Sequence, residues 1–149
     1  LDGFEFNIHH VFGESGSGLA ANYTKVDSGL EFDNADLGTQ YPMIGLSDSA
    51  NLVGFYDKNA WQVRVAYNWR DEFLNGTGGG GTPPNPNWTE EYGQVDAIVS
   101  YEVMENLTLS LEGINLTDET QRIHARHENM VRFATQTGPR YMFGMRYRF

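Results

Sequence analysis

The C-terminal segment most constrains what this chain can fold into, because its large side chains alternate with cationic or small ones up to the final residue. The alternate positions are Tyr141, Phe143, Met145, Tyr147 and Phe149, and those between them are Met142, Gly144, Arg146 and Arg148. Successive side chains of a strand point to opposite faces, so one face is an aromatic and apolar ribbon. A ribbon with aromatic residues at both ends is typical of a transmembrane β-strand, with lipid on one face and water on the other.

Alternation of the same kind predicts six more strands, at residues 4–10, 19–26, 51–57, 61–70, 95–103 and 107–112. In the clearest of them Trp61, Val63, Val65, Tyr67 and Trp69 share one face. This span matches the roughly 9–11 residues that a tilted transmembrane strand needs. The opposite faces carry the side chains expected to line a hydrated wall: Arg64, Asn68, Arg70, Asp96, Ser100, Glu102, Ser110, Glu112, Arg146 and Arg148.

The connections between these strands alternate between short and long, as they do in outer-membrane barrels. The long ones include residues 27–49, residues 74–92 and residues 117–138. Residues 74–92 are rich in Gly, Pro and Asn and are expected to hold no strand ladder. The sequence therefore predicts an all-β fold, an antiparallel transmembrane β-barrel segment of about seven strands. Bacterial barrels have even strand numbers, so the segment is expected to be a fragment of a larger barrel.

Composition and charge exclude several classes of site and partner. The chain of 149 residues has no cysteine, which excludes disulfides and thiolate metal sites. Its formal net charge of -10 argues against a nucleic-acid partner, since phosphate binding needs clustered Lys and Arg. It opens directly in a strand-like segment without a signal peptide, so it is predicted to be the tail of a longer chain. No nucleophile and base pair or carboxylate dyad is present in a supporting context, so the sequence predicts no enzyme and no cofactor.

Several segments resemble the closing strands of TonB-dependent outer-membrane receptors. They are NLTLSLEGINLTDE at residues 106–119, GPRYMFGMRYRF at the C-terminus, and ANLVGFYDKNAWQVRVAYNWRDEFL at residues 50–74. The terminus also resembles the assembly signal of bacterial outer-membrane barrels, with Gly144, Tyr147 and Phe149 at the glycine and aromatic positions. Met142 occupies a position that is usually polar in that signal.

The resemblance implies a bacterial outer-membrane receptor with a barrel of about 22 strands and an N-terminal plug. Residues 1–149 would be the C-terminal part of that barrel, with the plug and the N-terminal strands absent. The implied function is active uptake of a scarce ligand, such as a saccharide or siderophore. The implied partners are outer-membrane lipid, the barrel-assembly machinery through the last strand, the TonB complex through the missing N-terminal part, and a small-molecule or oligosaccharide ligand.

Five residues in or beside the long connections are candidate ligand contacts: Tyr41, Trp88, Tyr92, His124 and His127. Aromatic side chains there could stack on sugars or aromatic chelates, or pack the connections against the rim of the barrel. His124, His127 and Glu128 lie close together in sequence, but no second cluster fixes a geometry around them. They therefore predict no metal site.

Two alternatives stay open at the level of sequence. A soluble β-sandwich that serves as a binding or adhesive module would bury the same alternating faces in a core. A complete small outer-membrane barrel would need an eighth strand, for which residues 27–49 offer the room.

Overall fold

A computed structural model describes residues 1–78 and 84–149, and these residues form eleven β-strands. Seven of them are β1 (Asp2–Val11), β2 (Ser17–Asp27), β3 (Ser49–Lys58), β4 (Trp61–Arg70), β7 (Tyr92–Met104), β8 (Leu107–Ile114) and β11 (Arg140–Tyr147). The four shorter strands are β5 (Phe73–Gly76), β6 (Asn87–Thr89), β9 (Thr120–His124) and β10 (Val131–Gln136). In the described residues no helix has the length and apolar character needed to cross a membrane.

The strands form two antiparallel sheets. The larger, here called the wall sheet, has the order β1-β2-β3-β4-β7-β8-β11, and the smaller, here called the loop sheet, has the order β10-β9-β6-β5. Every neighbour in the wall sheet is the next long strand along the chain, so the wall sheet is a meander with β1 and β11 at its edges. The predicted seven long antiparallel strands are confirmed.

Register in the wall sheet gathers the apolar positions of all seven strands on one face. Directly paired residues of antiparallel strands share a face, and the pairs include Val65 with Ala97, and Phe143 with Leu111. This apolar face contains Phe4, Phe6, Ile8, Leu19, Ala21, Tyr23, Leu52, Trp61, Val63, Val65, Tyr67, Val95, Ala97, Val99, Tyr101, Leu109, Leu111, Phe143 and Met145. Much of it is uncovered: Phe143 is 72% exposed. Moving one such large side chain from water into apolar surroundings contributes about 1.5–3 kcal/mol, so this face requires a lipid-like environment.

The opposite face is largely polar, as predicted, and several of its side chains are hydrogen-bonded to one another. The amide of Asn51 donates to Asn68 on the neighbouring strand. Gln94 accepts a hydrogen bond from the Tyr92 hydroxyl at 2.7 Å and donates to Asp96 at 2.6 Å. All ten residues expected on this face lie on it except Arg148, which follows the end of β11. The register therefore separates a lipid-compatible face from a hydrated one.

The two ends of the wall sheet differ in the length of the connections between the strands. Residues 12–16, 59–60 and 105–106 form short turns at one end, and residues 28–48, 71–91 and 115–139 form long connections at the other. Asn59 and Ala60 both have positive φ, 54° and 66°, as a two-residue type I′ hairpin requires. The predicted alternation of short and long connections is confirmed, and residues 28–48 contain no strand, so the eighth strand of a complete small barrel is not found there.

Two predictions about the long connections are wrong. Residues 74–92 were expected to hold no ladder, yet β5 and β6 pair there, with Leu74 opposite Trp88. Residues 117–138 were expected to be loop, yet they contain β9 and β10. The physical reason is that these short strands are stabilised by pairing with each other, which local composition does not reveal. Part of the glycine-rich stretch at 76–82 lies outside the described residues.

Candidate ligand site at the loop end of the sheet

The loop sheet joins two long connections into one unit. β5 and β6 come from residues 71–91, whereas β9 and β10 come from residues 115–139. The joint is the pairing of β6 with β9, where Trp88 lies opposite His124 and Thr89 opposite Ile123. Because directly paired residues share a face, Leu74, Trp88 and His124 lie on the same side of the loop sheet.

The third connection, residues 28–48, is attached to this unit by an apolar contact and a backbone hydrogen bond. The ring of Phe32 packs edge-on against Trp88 with 6.3 Å between centroids, and Phe32 is only 8% exposed. The backbone N–H of Gly45 donates to the carbonyl oxygen of Leu74 at 2.8 Å. Phe32 is therefore a core residue of the three connections, whereas other large apolar residues of the same connection, such as Leu30 and Ile44, are exposed.

Arg126, which lies in residues 115–139, contacts both of the other long connections. Its guanidinium donates to the carbonyl oxygens of Asn34 in residues 28–48 and of Pro84, the latter at 2.7 Å, in residues 71–91. It also lies over the ring of Phe32 at 5.7 Å. Its backbone N–H donates to the side chain of Asn85 at 3.1 Å. A planar guanidinium has five N–H donors in fixed directions, which suits contacts to carbonyls of separate segments.

His124 is buried at the joint, with 3% of its surface exposed. Its Nδ1 lies 2.6 Å from the carbonyl oxygen of Ala125, and its Nε2 lies 3.0 Å from a carboxylate oxygen of Glu72. Burial by itself lowers the pKa of this imidazole, but the hydrogen bonds to Glu72 and Ala125 outweigh burial and raise the pKa above its ordinary value. Glu72 belongs to the other connection, so this contact also bridges the two.

The five predicted ligand residues are only partly brought together. Trp88 and His124 are paired, and His124 and His127 line one cavity of about 330 Å³ with Glu72 and Arg126. Tyr41 is 86% exposed in residues 28–48. Tyr92 lies on β7 and belongs to the hydrogen-bonded polar face of the wall sheet.

A second cavity of about 330 Å³ opens between residues 28–48 and β5–β6. Its apolar lining includes Phe32, Leu74 and Trp88, and its charged lining is Lys25, Asp27, Glu31 and Glu72. Sequence reasoning missed Phe32, Glu72 and Arg126 as members of this region. Only Phe32 carried a local signal, an aromatic residue within a polar stretch. Within residues 1–78 and 84–149 no group of three His, Asp or Glu side chains could hold a metal ion.

The three predicted assembly residues lie on or just after β11. Gly144 is in the middle of the strand, Tyr147 is its last residue at the short-turn end, and Phe149 follows it. Gly144 lies opposite Ser110, and a Cβ at Gly144 would come within 2.4 Å of the Ser110 Oγ. The rings of Tyr147 and Phe149 meet edge-on at 5.2 Å, and Phe149 is fully exposed. A larger residue at 144 would therefore require the Ser110 hydroxyl to rotate away.

A family model described as TonB dependent receptor-like, beta-barrel matches residues 1–116, which is 116 of the 149 residues. The chain belongs to this family. No curated protein and no solved structure matches it. The matched region runs from β1 to the end of β8, so it includes most of the wall sheet and stops before β9, β10 and β11.

Membership of the TonB-dependent receptor family places the chain in the bacterial outer membrane. The family is one of transporters that take up ligands and interact with TonB, and it is not a family of enzymes. This agrees with the uncovered apolar face of the wall sheet, which a soluble β-sandwich would bury. The predicted family, fold class and localisation are confirmed.

Proposed function

We propose that residues 1–149 form the C-terminal part of the barrel wall of a TonB-dependent receptor, with the plug and the remaining strands elsewhere in the protein. β1 and β11 are both edge strands of the wall sheet, and a barrel leaves no strand edge open in the membrane. The wall sheet presents its apolar face to outer-membrane lipid, and the three long connections form an extracellular surface that captures a scarce ligand. The observation that carries this proposal is the joining of all three connections at one end, through the pairing of Trp88 with His124 and the contacts of Arg126.

The ligand best supported by the lining of the cavity is a neutral, hydroxyl-rich molecule such as a saccharide. Trp88, which is half-buried, offers aromatic surface for the apolar face of a sugar ring. Asp27, Glu31 and Glu72 outnumber the single Lys25, and their carboxylates accept hydrogen bonds from hydroxyl groups. The same carboxylates repel an anionic ferric chelate, so the siderophore alternative is less well supported.

The test is binding by the intact receptor purified in detergent, measured by calorimetry with neutral oligosaccharides and with an anionic ferric catecholate. Trp88→Ala is expected to weaken oligosaccharide binding about tenfold, since an aromatic stacking contact contributes up to about 1.5 kcal/mol. Trp88→Phe, which keeps a ring, is expected to lose less. Phe12→Ala is the matched control, because Phe12 is an exposed aromatic residue in a turn at the opposite end of the sheet. Equal losses for Phe12→Ala and Trp88→Ala, or preference for the ferric catecholate, would contradict the proposal.

We also propose that the barrel-assembly machinery recognises the last strand through Gly144, Tyr147 and Phe149. Support comes from the exposure of Phe149, whose ring contacts Tyr147 and lies beyond the final pair of β11 with β8. An exposed terminal aromatic residue that stabilises little of the fold is available to a partner. If the residue serves recognition and not stability, removal of Phe149 lowers the amount of receptor that reaches the outer membrane but does not change the stability of the purified receptor.

A further inference from the structure

Both ring nitrogens of His124 face groups that accept hydrogen bonds. Nδ1 lies 2.6 Å from the Ala125 carbonyl oxygen, and Nε2 lies 3.0 Å from a Glu72 carboxylate oxygen. A carbonyl oxygen and an ionised carboxylate accept hydrogen bonds and donate none, and a neutral imidazole carries only one N–H. The two contacts are therefore satisfied together only when the pair of His124 and Glu72 holds one proton more than neutral histidine with ionised glutamate.

Charged groups lie around His124 on the elements that pack against it. Asp71 and Glu72 precede β5, Glu90 follows β6, Arg122 lies on β9, and Arg126, His127 and Glu128 lie in the turn after β9. Arg132 lies on β10, whose Val131 is paired with His124. Arg122 pairs with Glu90 at 3.3 Å, and the guanidinium of Arg126 is directed to backbone carbonyls. The surroundings of His124 thus hold more carboxylates than cations, which stabilises an imidazolium.

We propose that protonated His124 is a pH-dependent latch that holds the connection 115–139 to the connection 71–91 through Glu72. When the imidazole releases its proton to solvent, one of its two hydrogen bonds is lost, because one ring nitrogen then has no hydrogen to donate. The group left without a donor is either the carboxylate of Glu72 or the carbonyl oxygen of Ala125, a residue only 1% exposed. Loss of the donor to Ala125 leaves a buried acceptor unpaired, and loss of the donor to Glu72, whose side chain is 42% exposed, removes the contact between the two connections; either change destabilises the closed arrangement. As a regulator of the capture surface, the latch rests on the proposed function.

The direction of the pH effect follows from the raised pKa of His124. A group whose pKa is higher in the folded state stabilises that state fully below its unfolded value of about 6.5. That stabilisation is lost as the pH rises through the higher, folded value. The latch is therefore closed in mildly acidic solution and weakens as the pH rises above about 6.5.

The test is amide hydrogen exchange of the intact receptor in detergent, read by mass spectrometry from about pH 5.5 to about pH 8.5 and corrected for intrinsic exchange rates. Protection of the peptides that contain β5, β6 and β9 is expected to fall about tenfold across this range. Peptides from β7 and β8 report that the wall sheet stays folded. The measurement needs no ligand, so it remains decisive if the long connections prove not to capture one.

Three variants separate the latch from a merely structural role. His124→Gln is expected to have low protection that no longer changes with pH. Glu72→Gln keeps a hydrogen-bond acceptor but removes the charge, so the midpoint of the pH profile is expected to move to lower pH. His127→Gln is the matched control, since His127 is exposed and three residues away. A flat profile in the natural protein, an unchanged midpoint in Glu72→Gln, or loss of the step in His127→Gln would overturn the proposal.

Discussion

The wall sheet and the loop sheet are both antiparallel, yet different forces stabilise them. Strands of the wall sheet are 8 to 13 residues long and pair along most of their length, apart from a register shift between Glu102 and Met104, and their apolar residues form one face directed to lipid. Strands of the loop sheet are 3 to 6 residues long and are held by a few side chains, chiefly Phe32, His124 and Arg126. A repeated pattern therefore builds the wall sheet, whereas individual tertiary contacts build the surface formed by the long connections.

The largest expected effect comes from placing a charge on matched phenylalanines of the two sheets. Phe6 and Phe133 lie on edge strands and are 57% and 55% exposed. Phe6→Arg is expected to lower the free energy of unfolding by about 2–4 kcal/mol, because arginine is costly on a lipid-facing strand. Phe133→Arg is expected to change it by less than about 0.5 kcal/mol, as surface substitutions usually do. Urea unfolding of the receptor reconstituted in lipid vesicles measures both, and equal effects would mean that the apolar face of the wall sheet does not contact lipid.

A smaller effect is expected from removal of the Arg126 side chain, which contacts the other two long connections. Arg126→Ala removes donors to two connections, so the free energy of local opening of residues 28–48 is expected to fall by about 1–3 kcal/mol. Stability of the wall sheet should not change. Arg132→Ala is the control, since Arg132 makes one long hydrogen bond, 3.5 Å, to the Asn85 carbonyl. Limited proteolysis and hydrogen exchange of residues 28–48 report the difference, and an equal response to both variants would mean that Arg126 does not organise the region.

The smallest effect on stability is expected at the end of the last strand. Removal of Phe149 should change the free energy of unfolding of the purified receptor by less than about 0.5 kcal/mol, because this residue lies beyond the last residue of β11 that pairs with β8. The amount of receptor in the outer membrane of cells is nevertheless expected to fall several-fold if the assembly machinery reads this residue. Quantitative blotting of membrane fractions gives the cellular amount, with Phe12→Ala as a control for loss of an exposed aromatic residue. An unchanged amount would leave Phe149 without an assembly role.

Sequence reasoning predicted the wall sheet well because the information needed is local. Alternation from Trp61 to Trp69 and from Tyr141 to Phe149 defines both the strands and their two faces. Since the side-chain period of a strand is two, a register that shifted by one residue would bury the wrong face. If each long strand also pairs with the next long strand along the chain, few other strand orders are possible.

The loop sheet could not be predicted in the same way. Its strands are too short to show a period, and their partners are distant in sequence: His124 contacts Glu72 across 52 residues, and Arg126 contacts Asn34 across 92. Trp88 and His124 were recognised as candidate residues by their type and by their position in the long connections, but nothing in the sequence paired them. Phe32 and Glu72 were missed because an isolated residue in a polar stretch predicts no partner.

The alternating strands, the lipid-facing and hydrated faces, and the order of the wall sheet follow from the amino-acid sequence alone, because the side-chain period and the short turns fix them locally. The pairing of the long connections with one another, and the contacts of Arg126 with all three, are visible only in the folded molecule. The burial of His124 between two acceptors is also visible only there. These features depend on contacts between segments far apart in the chain, whose free energy no local pattern encodes.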